Sequence, residues 1–175
     1  FTELESSAGR FASIELKGYL AGVLTKISQS LINNSQFDIV GYTTRAMAES
    51  VARWIEKELL KGTNGKIEGL GGVTLAQETA AATAITADDL IRLKDKIKDT
   101  YQQNAIWIMS PATRTALRLL KDDNGRYLLN DDITSPFGSS LLGKPVYVSD
   151  NMDDVGAGKT VIYYGDMSGL AVKLT

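Results

Sequence analysis

The sequence predicts an α+β fold with an antiparallel or mixed sheet, and three observations lead there. Over residues 38–60 apolar side chains recur every fourth position at Met47, Val51, Ile55 and Leu59, with Val40, Trp54 and Leu60 widening the stripe, which is the pattern of one long amphipathic helix. Between residues 86 and 130, two helical patterns flank a short apolar run, "AIWIM", in a strand–helix–strand–helix–strands module. Finally, "KPVYVS", "VIYYG" and "LAVKL" follow one another with no helix between them, whereas a doubly wound sheet places a helix after each strand.

Taken in order, residues 11–27 ("FASIELKGYLAGVLTKI") are rich in Ile, Leu and Val and partly alternate, so they read as one or two extended segments, with Gly18 and Gly22 marking a bend or bulge. "SLINNSQFD" breaks that pattern. Asp38 is placed to cap the long helix, and "KGTNG" at 61–65 supplies its stop. A Gly-, Thr- and Ala-rich stretch follows as a loop with a short strand near residues 73–75. Thr86 and Asp89 have capping-box spacing ahead of a helix whose Leu90, Leu93, Ile97 and Tyr101 share one face. Residues 105–109 read as a buried strand, and Ser110-Pro111 as an N-cap with proline in the first turn of a helix reaching Leu120. Gly125 fits the left-handed residue after a helix end, leading into a strand "RYLLN". "DDITSPFGSS" reads as an exposed loop, and the three C-terminal strands follow.

Composition narrows the chemistry. The chain has 175 residues, 43% hydrophobic and 23% charged, with a net charge of −2, which suits an ordinary soluble globular protein with one core or two small ones. Lys and Arg are scattered among Asp and Glu, so no basic face marks a nucleic-acid binder. The sequence contains neither cysteine nor histidine. Cys/His zinc sites, thiol chemistry, disulfides and His-based triads are therefore excluded. No apolar run approaches the roughly 20 residues that cross a bilayer, so no membrane is expected as a partner. The chain opens "FTELESSAGR" without an initiator Met and reads as a processed or trimmed piece.

Two motif-like stretches fail on spacing. "GAGKT" at 156–160 carries the last letters of a phosphate-binding loop, but counting back from Gly158 puts Asp153 where the first glycine belongs. A carboxylate there would face the phosphates. Moreover, the stretch precedes a strand instead of opening a helix, so it reads as a Gly-Ala-Gly turn between two strands. In "KDDNGRYLL", setting Gly125 at position six of a calcium loop puts Leu120 at position one, where the first carboxylate is required. No cofactor and no catalytic residue is assigned.

Five short motifs then occur in a fixed order: Met109-Ser110, Leu120-Lys121-Asp122, Gly125-Arg126-Tyr127, Leu142-Gly143-Lys144-Pro145-Val146 and Gly165-Asp166-Met167-Ser168. Each is weak alone. Together, with the run "KISQSLINNSQFDIVGYTTRAMAESVARWIEKELLKGTNGKIEGL", they make the chain resemble the major capsid proteins of tailed bacteriophages, the Hong Kong 97 type shell proteins, over residues 11–174. The resemblance implies a short helix before the long spine helix. It also implies an extended-loop remnant and peripheral domain over residues 1–75 with the spine at about 38–60, an axial domain over 76–165, and a return strand over 166–175. Full-length relatives carry an N-terminal arm and a long hairpin reaching onto a neighbour, and this chain starts at about the return of that hairpin.

The function so implied is structural. The chain is expected to self-assemble into pentamers and hexamers of an icosahedral, prophage-encoded phage head around double-stranded DNA, formed in the bacterial host cytoplasm and kept in the virion capsid. Its partners would be copies of itself, a scaffolding segment or protein, the portal and the maturation protease, with packaged DNA held only weakly and non-specifically. Candidate subunit-interface residues are Arg45, Glu49 and Arg53, a charged row spaced by four on the spine helix, and Asp131, Asp132 and Phe137 in the loop over residues 130–140, which in the family lies toward the capsomer axis. Some relatives crosslink lysine to asparagine, and Lys17, Lys66 and Asn151 are exposed-looking candidates, although such residues are far more often just solvated side chains. Two alternatives stand beside this reading: an encapsulin-like nanocompartment shell, and an enzyme using the carboxylates of Asp122, Asp123, Asp131 and Asp132, which as Asp beside Asn and Gly are more often turn residues.

Overall fold

A computed structural model describes residues 16–63, 65–73, 77–81, 83–121, 125, 127, 130–131 and 139–174. The architecture is α+β with a mixed five-stranded sheet, as the sequence pattern requires. The strands are β1 (Ile106–Met109), β2 (Asn130–Asp131), β3 (Ser139–Leu141), β4 (Lys144–Val148) and β5 (Ile162–Gly165), in the spatial order β2-β3-β4-β1-β5. β1 runs parallel to β4 and antiparallel to β5, and the remaining pairs are antiparallel. The one parallel pair arises because a helix and the β2–β3 ribbon separate β1 from β4 in sequence, long enough for a crossover.

The helices are α1 (Gln29–Asn34), α2 (Ile39–Leu60), α3 (Ala87–Asp95), α4 (Asp99–Gln102) and α5 (Pro111–Arg118). Side-chain caps define several of their starts. Asp38 Oδ1 accepts from the Gly41 amide at 2.9 Å, and Ser28 Oγ accepts from that of Leu31 at 3.2 Å. Thr86 and Asp89 form a reciprocal capping box, each side chain bonding to the other's backbone N–H. Ser110 Oγ accepts from the Thr113 amide at 3.1 Å, with Pro111 pre-set for the first turn.

The core lies on one face of the sheet. β1 alternates, so Trp107 and Met109 point together into the interior with no exposed surface. Register places Val146 and Tyr164 on either side of Trp107, in one row across three strands. Trp107 stacks on Tyr164 with centroids 4.1 Å apart, and its indole N–H donates to the Leu141 carbonyl at 3.0 Å. Ile85, Leu90 of α3 and Leu117 of α5 complete the cluster.

Several sequence expectations are corrected. Residues 16–27 and 170–174, expected within strands, join no ladder among the described residues. The helix expected to carry Leu90 through Tyr101 breaks at Lys96–Lys98 into α3 and α4. Gln102 Nε2 donates to the carbonyls of Ile97 (2.9 Å) and Lys94 (3.3 Å), the latter also accepting from the Ile97 amide, and so bridges the break, while Tyr101 stays exposed. The stretch read as a loop over 130–140 contributes strand residues at both ends, joined onward by a two-residue turn in which Leu142 and Gly143 both have positive φ (50° and 77°). A short 3-10 turn, Leu70–Gly72, precedes residue 73, and the strand expected near 73–75 falls on residues 74–75, which lie outside the described residues.

Candidate functional site

The long helix dominates the surface. α2 has 22 residues, about 33 Å at 1.5 Å per residue. Met47, Val51, Ile55 and Leu59 are only half-buried, and the buried positions of the helix are Glu58 and Leu60 near its end. Among the described residues, no side chain of α2 belongs to the core cluster of the sheet unit. The sheet and its own helices fill that core, and the stripe is covered only in part.

Ahead of and along its first turns, apolar groups stand open. Phe37, Val40 and Tyr42 are 60%, 51% and 60% exposed, and Phe37 meets Tyr42 edge to face at 5.9 Å. Leu31 and Ile32 of α1 are exposed next to them in sequence. Upstream, Leu20 and Leu24 of the extended segment are 102% and 88% exposed. Further down, Tyr19 and Leu20 approach Trp54, Glu58 and Thr63 around an open cleft of about 210 Å³. The Glu58 carboxylate in that cleft accepts from the Thr63 hydroxyl at 2.9 and 2.7 Å, which commits it to holding the turn after α2.

The charged row sits on solvent. Arg45, Glu49 and Arg53 are all exposed, Arg53 and Glu49 approach to 3.8 Å, and Arg45 Nε reaches its own helix at the Gly41 carbonyl (3.4 Å). An exposed pair four residues apart contributes at most about 0.5 kcal/mol to the chain itself. Of the second set, Asp131 pairs through its backbone with Ser139, while Asp132 and Phe137 lie outside the described residues. The structure thus brings Arg45, Glu49 and Arg53 together on one helix and leaves the grouping with the 130–140 stretch open. Pattern reasoning missed the exposed Phe37–Tyr42 cluster, although the surplus of apolar residues at the helix start was its signal.

Elsewhere the polar groups serve the fold. Ser110 donates to Asp154 at 2.7 Å, tying the start of α5 to the β4–β5 connection. The Asp89 carboxyl is buried, which opposes its ionisation; hydrogen bonds from the Thr86 hydroxyl and the Thr86 and Ala80 amides, with Arg92 nearby, outweigh that and hold it below the ordinary carboxylate range. Residues 156–160 form the expected turn, with Gly158 at φ 70°. Among the described residues no group of three or more Asp and Glu is placed to hold a metal, and no helix is long and apolar enough to cross a membrane. Asp122 and Asp123 lie outside the described residues.

Comparison with known proteins gives one consistent answer. The model of the Phage capsid family matches residues 2–173. The chain is similar to the solved capsid of a native GTA particle, with 26% identity and a TM-score of 0.68 over 79% of this chain and 52% of that one. For the capsid of an empty GTA particle the values are 28% and 0.66, over 79% and 53%. A chain of Gordonia phage Cozz shares the fold at 15% identity and TM-score 0.57, over 90% of this chain and 61% of that one. The chain therefore spans about half the length of the GTA capsid chains it matches. No curated protein matches the sequence. The architecture is the Hong Kong 97 type capsid fold, with α2 as the spine helix.

Proposed function

Because this chain belongs to the Phage capsid family, we propose that it is the structural shell protein of a phage head, assembling with copies of itself into pentamers and hexamers that close around double-stranded DNA. The observation that supports this most is the contrast between a finished core and an unfinished helix. The sheet unit buries Trp107, Met109 and Leu117 completely, while α2 leaves its apolar stripe half-covered and Phe37, Val40 and Tyr42 open. Contiguous apolar surface of this kind marks a surface that meets another protein. A tile that repeats by symmetry has such surfaces by necessity, since its edges are buried only against its own copies.

In this reading the peripheral part lies in residues 1–75 around α2, the axial part in 76–165, and residues 166–175 return toward the periphery. Arg45, Glu49 and Arg53 face a neighbouring subunit, where loss of water makes the row count for more than it does on a free helix. Asp131, Asp132 and Phe137 lie toward the capsomer axis. A scaffolding segment or protein, the portal and the maturation protease act on the same subunit during assembly in the host cytoplasm, and the product resides in the virion. The net charge of −2 suits a wall that touches DNA weakly, because dense phosphate contacts would resist packaging and release.

Expression of the whole gene product, followed by electron microscopy and extraction of the contents, tests this. Closed icosahedral particles that take up DNA alongside the packaging proteins are expected. Closed shells filled with a specific protein cargo would place the chain with nanocompartment shells instead, and failure to form any closed particle would refute the shell reading. Phe137→Ser should impair capsomer formation; normal capsomers would remove that residue from the axis.

A further inference from the structure

The attachment of α2 to the sheet unit is largely polar, and this has a mechanical consequence that does not depend on shell building. Leu60, the last residue of α2, is the helix's one buried apolar side chain and lies outside the core cluster, so apolar packing holds the helix at its end alone. Three hydrogen-bonded contacts between residues far apart in sequence join the helix to the sheet unit. Ser149, which follows β4, donates its hydroxyl to Glu56 Oε1 at 2.5 Å. Lys61, just past the helix end, places Nζ 2.8 Å from Asp153 Oδ1, with both side chains more than a third exposed. Tyr163 of β5 donates to the Leu60 carbonyl at 3.0 Å, one of the four that a helix C-terminus leaves unpaired.

Strand alternation explains why this joint sits apart from the core. Tyr164 points into the packed face, so its neighbour Tyr163 points to the other one, where the end of α2 arrives. Two of the three sheet-side contacts come from the single connection between β4 and β5. Its backbone is braced from within: the Ser149 amide donates to the Met109 carbonyl at 3.0 Å and the Asn151 amide to Ser149 Oγ at 3.1 Å. The braced connection is thus a fixed anchor, and the contacts leaving it toward α2 are few and directional, the one at Ser149 part-buried and the one at Asp153 open to water.

We infer that Glu56–Ser149, Lys61–Asp153 and Leu60–Tyr163 form a polar latch that sets the angle of α2 against the sheet unit, and that opening the latch lets the helix swing while both units stay folded. Packed cores resist small displacements, whereas a joint of a few hydrogen bonds can release and re-form as a unit. The turn after α2 moves with the helix, because Thr63 is held by Glu58 and an added Cβ at Gly62 or Gly69 would meet backbone atoms of this turn or of the helix end.

The absence of native cysteine allows a clean test in the chain itself. Spin labels are attached at Ala48→Cys on α2 and Asp95→Cys on α3, both exposed, and their separation is measured by pulsed electron resonance. With the latch intact a single narrow distance peak is expected. Ser149→Ala combined with Asp153→Lys, which sets two cations against each other at Lys61, should replace it by a broad distribution, while the near-ultraviolet signal of the Trp107–Tyr164 stack persists. Adding Lys61→Asp to Asp153→Lys restores opposite charges and should restore the narrow peak. An unchanged peak in the broken variant overturns the inference, and so does a swapped pair that fails to narrow the distribution.

Discussion

Trp107 concentrates more of the fold than any other side chain: it is fully buried, stacked on Tyr164, hydrogen-bonded to Leu141 and centred in the row Val146–Trp107–Tyr164. Replacing it by Ala should lower unfolding free energy by about 3–5 kcal/mol, measured by urea denaturation. Leu142 is the opposite case. It holds φ 50°, a conformation that L side chains adopt at a cost of about 1–2 kcal/mol, beside Gly143 in a turn that favours Asn-Gly. Leu142→Asn should therefore stabilise the chain by about 1 kcal/mol in the same assay. Asp89 gives the pH dependence its sign. Its carboxyl is held below the ordinary value in the fold, so the unfolded chain takes up the proton first as pH falls. Its contribution is complete above the unfolded value of about 3.9 and is lost as pH drops from there through the folded value. Asp89→Asn should remove that part of the acid slope, and an unaltered acid slope would show that the hydrogen-bonded carboxylate is not its source.

At the scale of elements, α2 should be unevenly stable. Its last turn is tied down by Glu58, Leu60 and the contacts to Ser149, Asp153 and Tyr163, whereas its first turns rest on the Asp38 cap and local pairing. Amide hydrogen exchange is expected to be slow in the final turns and fast in the first half, a gradient that uniform protection would contradict. The same element shows how far a sequence can be read. Spacing, the Asp38 cap and the Gly-rich exit located α2 almost to the residue, because these are local signals. The burial of its stripe was not legible, since that depends on what else occupies the space. Likewise, Thr86-x-x-Asp89 and Ser110-Pro111 announced their helices, yet nothing local marked the break at residues 96–98, which depends on Gln102 reaching back to two carbonyls. β3 was hidden because Ser139 and Ser140 have little strand preference and are paired by the turn that follows them. "LAVKL" has the preference but no partner strand among the described residues. Among the candidate interface residues, the row Arg45, Glu49 and Arg53 was legible as a helix face; which partner meets it is not written in one chain.

For the whole molecule, the division between a packed sheet unit and a partly uncovered strut is what connects the fold to shell building. A self-sufficient monomer would have turned Met47, Val51 and Ile55 onto its own core; here that core closes without them. Reversing charge at Arg45 and Glu49 together should therefore leave the stability of the free chain almost unchanged, because exposed pairs contribute little, and yet reduce the yield of particles by severalfold or more. Equal particle yields would take the row out of the interface. The most direct measurement is cryo-electron microscopy of particles formed by the whole gene product, resolved well enough to trace α2. The proposed function requires a closed icosahedral shell in which the Phe37–Tyr42 cluster and the open flank of α2 are buried against neighbouring subunits. Particles in which that surface faces solvent, or a product that remains monomeric under assembly conditions, would contradict it.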